Sequence, residues 1–318
     1  MRRINVPNGP INLHVVVEGQ GPLILCVHGW PELSYSWRHQ LAYFSMRGYT
    51  VAALDVRGYG QSSKPREIAA YSMRELTSDV AAVIDALGDG KAILFGPDGG
   101  APIVWNTAVL YRDKVTAVAG LSVPYFPIRA ISFIDRMREA YKGKYFYQLY
   151  FQEEGVAEAE FEADLHRALR MTYFSLSGDA PPRDEMLGGK GPHSKYLEGL
   201  IDPEVFPPWM TEADLQVYVD AFAKGGMRGP FNRYRAHVID AAEIGSQPVR
   251  LVAQPACFIA GAKEELRSFV PGVDLYANPG QFCEDFRGST LLEGIGHWVQ
   301  QEAPGPTNAA LEAFLKEL

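Results

Sequence analysis

The sequence predicts an α/β protein: a mostly parallel central sheet flanked by helices, with a helical cap inserted into it. Three observations carry this. Short apolar runs recur along the chain, each bounded by Gly, Pro or Asp, as expected of strands buried on both faces. Helical periodicity alternates with them, so successive strands are joined by helical crossovers. The alternation stops near residue 124 and resumes only near Leu251.

Residues 22–27 (PLILCV) form the first run and end at His28-Gly29-Trp30-Pro31. Residues 50–54 (TVAAL) form the second and end at Asp55-Val56-Arg57-Gly58. The clearest helix covers residues 72–87. Ser72 and Glu75 have the spacing of a capping box, Leu76, Val80, Val83, Ile84 and Leu87 recur at three and four, and Gly88 is a stop. Residues 92–95 give the third strand and residues 115–123 the fourth. Residues 256–260 and 289–292 are later ones. Between them lie helical patterns at 133–141, 155–173 and 212–223, and a loop rich in Pro and Gly at 177–192. The expected division is a core of residues 1–123 and 250–318, with a cap of residues 124–249. A cap over the carboxyl ends of parallel strands is where a substrate binds.

Composition narrows the function. The chain has 318 residues, 47% of them hydrophobic, enough for a substantial core. Its net charge is −8 and its only basic block is Arg2-Arg3, which argues against a nucleic-acid partner. Neither a signal-length apolar run at the amino terminus nor a membrane-length run elsewhere is present, so a soluble, cytoplasmic protein is expected. Cys26, Cys257 and Cys283 are widely spaced and predict reduced thiols. Metal and nucleotide motifs are missing, so no metal and no cofactor are expected. The chemistry then falls to side chains alone.

The third strand ends in Gly96-Pro97-Asp98-Gly99-Gly100. This is a nucleophile elbow, G-x-D-x-G, with Asp where ester hydrolases carry Ser. Taken alone, Asp98 is equally readable as a helix N-cap. A nucleophile of this kind needs an acid and a histidine downstream, in that order. Glu264 follows the 256–260 strand directly, with Glu265 as the alternative acid, and His297 lies in Gly294-Ile295-Gly296-His297-Trp298. Upstream, the backbone N–H groups of Trp30 and Gly99 make a candidate oxyanion hole. His28 reads as structural.

Together the HGWP turn, Asp98 in its elbow, the stretch DVRGYGQS at 55–62 and GIGHWVQQEAP at 294–304 resemble the epoxide hydrolases of the α/β-hydrolase fold. The resemblance is to the hydrolase domain of the mammalian soluble enzymes and to bacterial relatives, without an additional phosphatase domain. It implies a small-molecule epoxide as the partner. It also implies that two cap segments, 145–162 and 226–235, supply the tyrosines that activate the epoxide, Tyr147 and Tyr234. Without the resemblance Tyr147 could not be singled out of the aromatic run KYFYQLYF.

The chemistry suits these residue types. An epoxide offers no carbonyl, so the nucleophile displaces at carbon, which a carboxylate does without first losing a proton. The resulting ester places a carbonyl on the enzyme, where water activated by a histidine can attack. Tyrosine hydroxyls, with a pKa of about 10, keep their protons at neutral pH and can donate to the opening oxygen. The chain departs from the family at the elbow. Pro97 and Gly99 replace His and Trp, and the missing indole predicts space beside Asp98. Glu264 replaces the commoner Asp, and Glu154 a Pro. The alternatives are a haloalkane dehalogenase, which shares the Asp nucleophile but needs a halide-holding donor after it, and a non-catalytic binding relative.

Overall fold

The computed structural model describes residues 1–182 and 189–318. Eight strands form one sheet in the order β1-β2-β4-β3-β5-β6-β7-β8. The parallel part is β3 (Leu23–Val27), β4 (Thr50–Leu54), β5 (Ala92–Pro97), β6 (Val115–Leu121), β7 (Val252–Gly261) and β8 (Cys283–Leu292). The residues of β3 are all buried, as their unbroken apolar run requires.

Two strands were not expected. Strand β1 (Arg2–Asn8) pairs antiparallel with β2 (Ile11–Gly19), and β2 pairs antiparallel with β4. Polar residues break up β1, which is largely exposed and is an edge, and β2 is mostly buried but carries only the short run Val15-Val16-Val17 between His14 and Glu18. Strand β8 is longer than residues 289–292 for the same reason. It is the other edge, and Glu284, Asp285 and Arg287 tolerate half-exposed positions there.

Helix α1 (Arg38–Ser45) and the carboxyl-terminal helix pack on one sheet face, where Trp37, Leu41, Phe44, Leu311 and Phe314 meet Ile24, Cys26, Ile93 and Phe95. Helices α2 (Met73–Leu87) and α3 (Gly100–Leu110) cover the other, with Leu76, Val80, Ile84 and Val104 buried against Leu25 and Leu94. Half of the expected capping box forms: Ser72 Oγ accepts from the Glu75 N–H, while the Ser72 N–H donates to Ala69 O and the Glu75 carboxylate accepts from Arg57.

Between β6 and β7 the described residues contain helices and no strand. These are α4 (Phe133–Ala140), α5 (Tyr147–Tyr150), α6 (Val156–Ala163), α7 (Leu165–Ser175), α8 (Glu212–Gly225), α9 (Arg228–Arg235) and α10 (His237–Asp240). The single helix expected at 155–173 is two. Asp164 leaves the helical region at φ −155° and its side chain caps α7 by accepting from the Arg167 N–H. Residues 183–188 of the loop expected at 177–192 lie outside the described residues.

Candidate active site

Four strand ends converge below the helical segment. Strand β3 runs into the HGWP turn, β5 into Asp98, β7 into Glu264, and β8 into the loop carrying His297. The elbow is a strained turn: Asp98 has φ 44°, a region that non-glycine residues rarely occupy. Its second glycine is demanded by close approach, since a Cβ on Gly100 would stand 2.1 Å from the Val27 carbonyl oxygen. Gly29 is demanded in turn by Asp98, whose Oδ1 would lie 2.4 Å from an added Cβ. Gly99 is different. A Cβ there would make ordinary contact, 3.7 Å from Gly29 Cα and Trp30 N.

Asp98 Oδ1 accepts the Trp30 N–H at 2.7 Å, and the Gly99 N–H also bonds the carboxylate. Oδ2 lies 3.2 Å from His297 Nε2. On the far side of the ring, His297 Nδ1 is 2.5 Å from Glu264 Oε2, and Glu264 Oε1 accepts the Leu266 N–H at 2.9 Å. It is Glu264, not Glu265, whose carboxylate meets the imidazole. Burial pushes the imidazole pKa down, but the carboxylates of Glu264 and Asp98 outweigh it and hold His297 well above its usual value. Burial raises Asp98, but its bonds to His297 and to the two backbone N–H groups outweigh that and hold it below the usual carboxylate range.

These groups open onto a cleft of about 640 Å³, its open mouth included, lined by Trp30, Asp98, Tyr147, Tyr234, Glu264 and His297 among others. The wall is otherwise largely apolar, with Leu176, Leu200 and Leu266. Tyr147 begins α5 and Tyr234 lies on α9. Their ring centroids are 6.1 Å apart, edge to face, and Phe151 packs against both. Gln148 Nε2 donates to the Tyr147 phenol oxygen at 3.0 Å. Burial first, with Tyr147 and Asp98 adding to it, keeps the Tyr234 hydroxyl well above its ordinary pKa and therefore protonated. Beside Asp98, a Cβ at Gly99 would meet the HGWP turn only at ordinary contact distance.

His28 has both ring nitrogens committed to backbone. Nδ1–H donates to the Gly29 carbonyl at 2.8 Å and Nε2 accepts the Val56 N–H at 3.0 Å. Burial lowers its pKa to about 4, which keeps the neutral tautomer that this pair of bonds needs.

Two carboxylates escaped sequence reasoning. Glu32 is fully buried and accepts from Gly29 N, Gln300 Nε2 and Gln301 Nε2. Burial, with Asp98 nearby, raises its pKa to about 7. Its signal was a charge directly after the HGWP turn. Glu302 accepts three backbone N–H groups, from Gly296 and Trp298 on either side of His297 and from Gly178 after α7. The His297 N–H itself donates to Leu176 O at 2.9 Å, and the Trp298 indole to Tyr173 O at 2.9 Å.

The parallel sheet, the elbow and the histidine loop define an α/β hydrolase, and the family model for the alpha/beta hydrolase fold matches residues 22–300. The chain is 35% identical to epoxide hydrolase A of Mycobacterium tuberculosis, over 98% of this chain and 97% of that one. An epoxide hydrolase from an endophytic Streptomyces superposes with a TM-score of 0.92 at 39% identity, covering 99% of this chain and 94% of that one. Epoxide hydrolase A from Mycobacterium thermoresistibile gives 0.90 at 36%, covering 99% and 98%. The chain belongs to the epoxide hydrolase family of α/β hydrolases.

Proposed function

We propose that this chain converts a small-molecule epoxide and water to a vicinal diol through an ester on Asp98. One observation carries the reading: an ionised carboxylate on a strained turn, held by two backbone N–H groups, in line with a histidine and a second carboxylate. Asp98 attacks an epoxide carbon and the C–O bond breaks. Tyr147 and Tyr234 donate to the departing oxygen, and one of them gives it its proton and is left as a tyrosinate. The bond that Gln148 donates to Tyr147 strengthens that phenol as a donor. Gly99 carries no side-chain donor for a halide, which favours an epoxide over a haloalkane.

Hydrolysis of the ester follows. In the free enzyme two carboxylates hold the proton on His297. Ester formation removes the charge of Asp98, so one of the two supports vanishes, the imidazole pKa falls, and its proton returns the tyrosinate to a phenol. A base is thereby created when one is needed. His297, oriented by Glu264, takes a proton from water, and the hydroxide attacks the Asp98 carbonyl carbon. The N–H groups of Trp30 and Gly99 bind the tetrahedral oxyanion. The bond to the diol oxygen breaks, that oxygen is protonated by His297, and the acid proton left on Asp98 passes to His297, so Asp98 returns as a carboxylate carrying one oxygen from water.

Residues 124–249 act as the cap in this reading, bringing both tyrosines over the strand ends. Among the described residues no helix is long and apolar enough to cross a membrane. A cytoplasmic site of action agrees with three cysteines that are all free thiols.

A single turnover in heavy-oxygen water with excess enzyme tests the covalent step. The label should stay on Asp98 and the first diol should carry none. His297→Gln should accumulate protein heavier by one substrate molecule. Labelled first-turnover diol, with no adduct in the variant, would make Asp98 a general base instead.

A further inference from the structure

Among the described residues two that are not glycine have positive φ: Asp98 at 44° and Ser122 at 62°. L residues persist there only where their surroundings impose it. The two occupy matching places. Pro97 and Leu121 are partners at the ends of β5 and β6, and Asp98 and Ser122 follow them directly. Both touch His297. Asp98 does so with its carboxylate, while Ser122 Oγ donates to the His297 carbonyl at 2.8 Å.

Ser122 is fully buried and its backbone is fixed on three sides. Its N–H donates to Ile259 O at 2.8 Å, and the Tyr276 hydroxyl donates to its carbonyl. The Val123 N–H returns to Leu121 O at 2.7 Å, closing a γ-turn centred on Ser122. With positive φ this is the rare, strained form of that turn. Ending a strand does not require such a turn. What it does is aim the hydroxyl at the histidine's carbonyl, opposite the N–H that Leu176 already holds.

We propose that Ser122 is a positioning residue for the second half-reaction, its strained turn fixing the backbone of His297 so that the imidazole stands correctly between Glu264 and the Asp98 ester. The inference rests on the covalent reading above. Alkylation needs little of His297, whereas hydrolysis needs it aligned with both water and ester, so a small displacement is felt mainly there.

Three variants separate this role from a purely structural one: Ser122→Ala, Ser122→Gly and Ser122→Thr. Ala and Gly lose the bond, and ester hydrolysis should slow about five- to tenfold in each, with alkylation changed by less than about twofold. Thr keeps a hydroxyl and should hydrolyse the ester at the parental rate. Melting temperature should follow a different order, with Gly above Ala and Thr because only Gly suits positive φ. Hydrolysis that tracks the hydroxyl supports the proposal even if Ala folds poorly, since Gly then carries the comparison. Hydrolysis that tracks melting temperature, or that is parental in both Ala and Gly, overturns it. Failure to detect any ester in the parent is a separate result: it removes the covalent reading, and this inference with it.

Discussion

Replacing Glu264 by Gln keeps the shape of the site and removes one charge. In the parent, Glu264 Oε2 lies 2.5 Å from His297 Nδ1, with the two side chains 1% and 3% exposed. During ester hydrolysis the imidazole becomes an imidazolium facing that carboxylate. Two unit charges about 4 Å apart, at an effective dielectric constant of about 20, attract by about 4 kcal/mol. Losing that support in the transition state costs about three decades in rate. Alkylation draws on Asp98 and the tyrosines, so it should change by less than about tenfold. The assay is rapid mixing of excess epoxide with Glu264→Gln. Intact-protein mass spectrometry follows growth and decay of the ester, against Glu265→Gln, which should behave like the parent. Equal slowing of both half-reactions, or hydrolysis within about tenfold of the parent, would refute the charge argument.

Three further outcomes are expected. Tyr147→Phe and Tyr234→Phe should each slow alkylation by about two decades, for the loss of one donor worth about 3 kcal/mol, and the double variant should all but abolish it while keeping its circular dichroism; normal turnover in the double variant would remove the tyrosines from the mechanism. Glu32 has a folded pKa of about 7 against an ordinary 4.5, so the unfolded chain ionises it first as pH rises. Stability from this group is therefore full below about pH 4.5 and lost by about pH 7, a drop of about 3 kcal/mol. Glu32→Gln should flatten that part of the urea-midpoint profile, and identical slopes in parent and variant would count against it. Gly100→Ala should misfold or melt far lower, because its Cβ meets the Val27 carbonyl, whereas Gly99→Ala should cost less than about 1 kcal/mol; similar losses in both would show that the elbow is not as tight as described.

The sequence was legible where burial acts on whole segments. Strands β3 to β6 are covered on both faces and announce themselves as apolar runs, and α2 carries both its cap and its stripe. Strand β1 and most of β8 did not, because an edge strand answers to water as well as to the core. Within the candidate site, Asp98, Glu264 and His297 were readable because each follows a strand at a turn. Glu264 was preferred for its place directly after the strand, with Glu265 as the alternative, and its carboxylate is the one that meets the imidazole. Ser122 and Glu302 were invisible for another reason. They act through backbone groups of His297 and its neighbours, and a carbonyl or an N–H leaves no trace in the letters.

The bonds around Glu302 bear on how this architecture can be recombined. The His297 N–H ends on Leu176 and the Trp298 indole on Tyr173, while Glu302 accepts the Gly178 N–H and Lys263 donates to the Gly178 carbonyl. Residues 173–178 are thus shared property of the helical segment and the histidine loop. A chimera that exchanges the helices between β6 and β7 for those of a relative would cut this seam, leaving the histidine's amide without an acceptor and three N–H sites on a half-buried carboxylate reduced to two. Grafts should keep the end of α7 with the parent sheet and cross over after Gly178, and truncation of the helical segment to make a minimal hydrolase should fail at the histidine before it fails at the pocket.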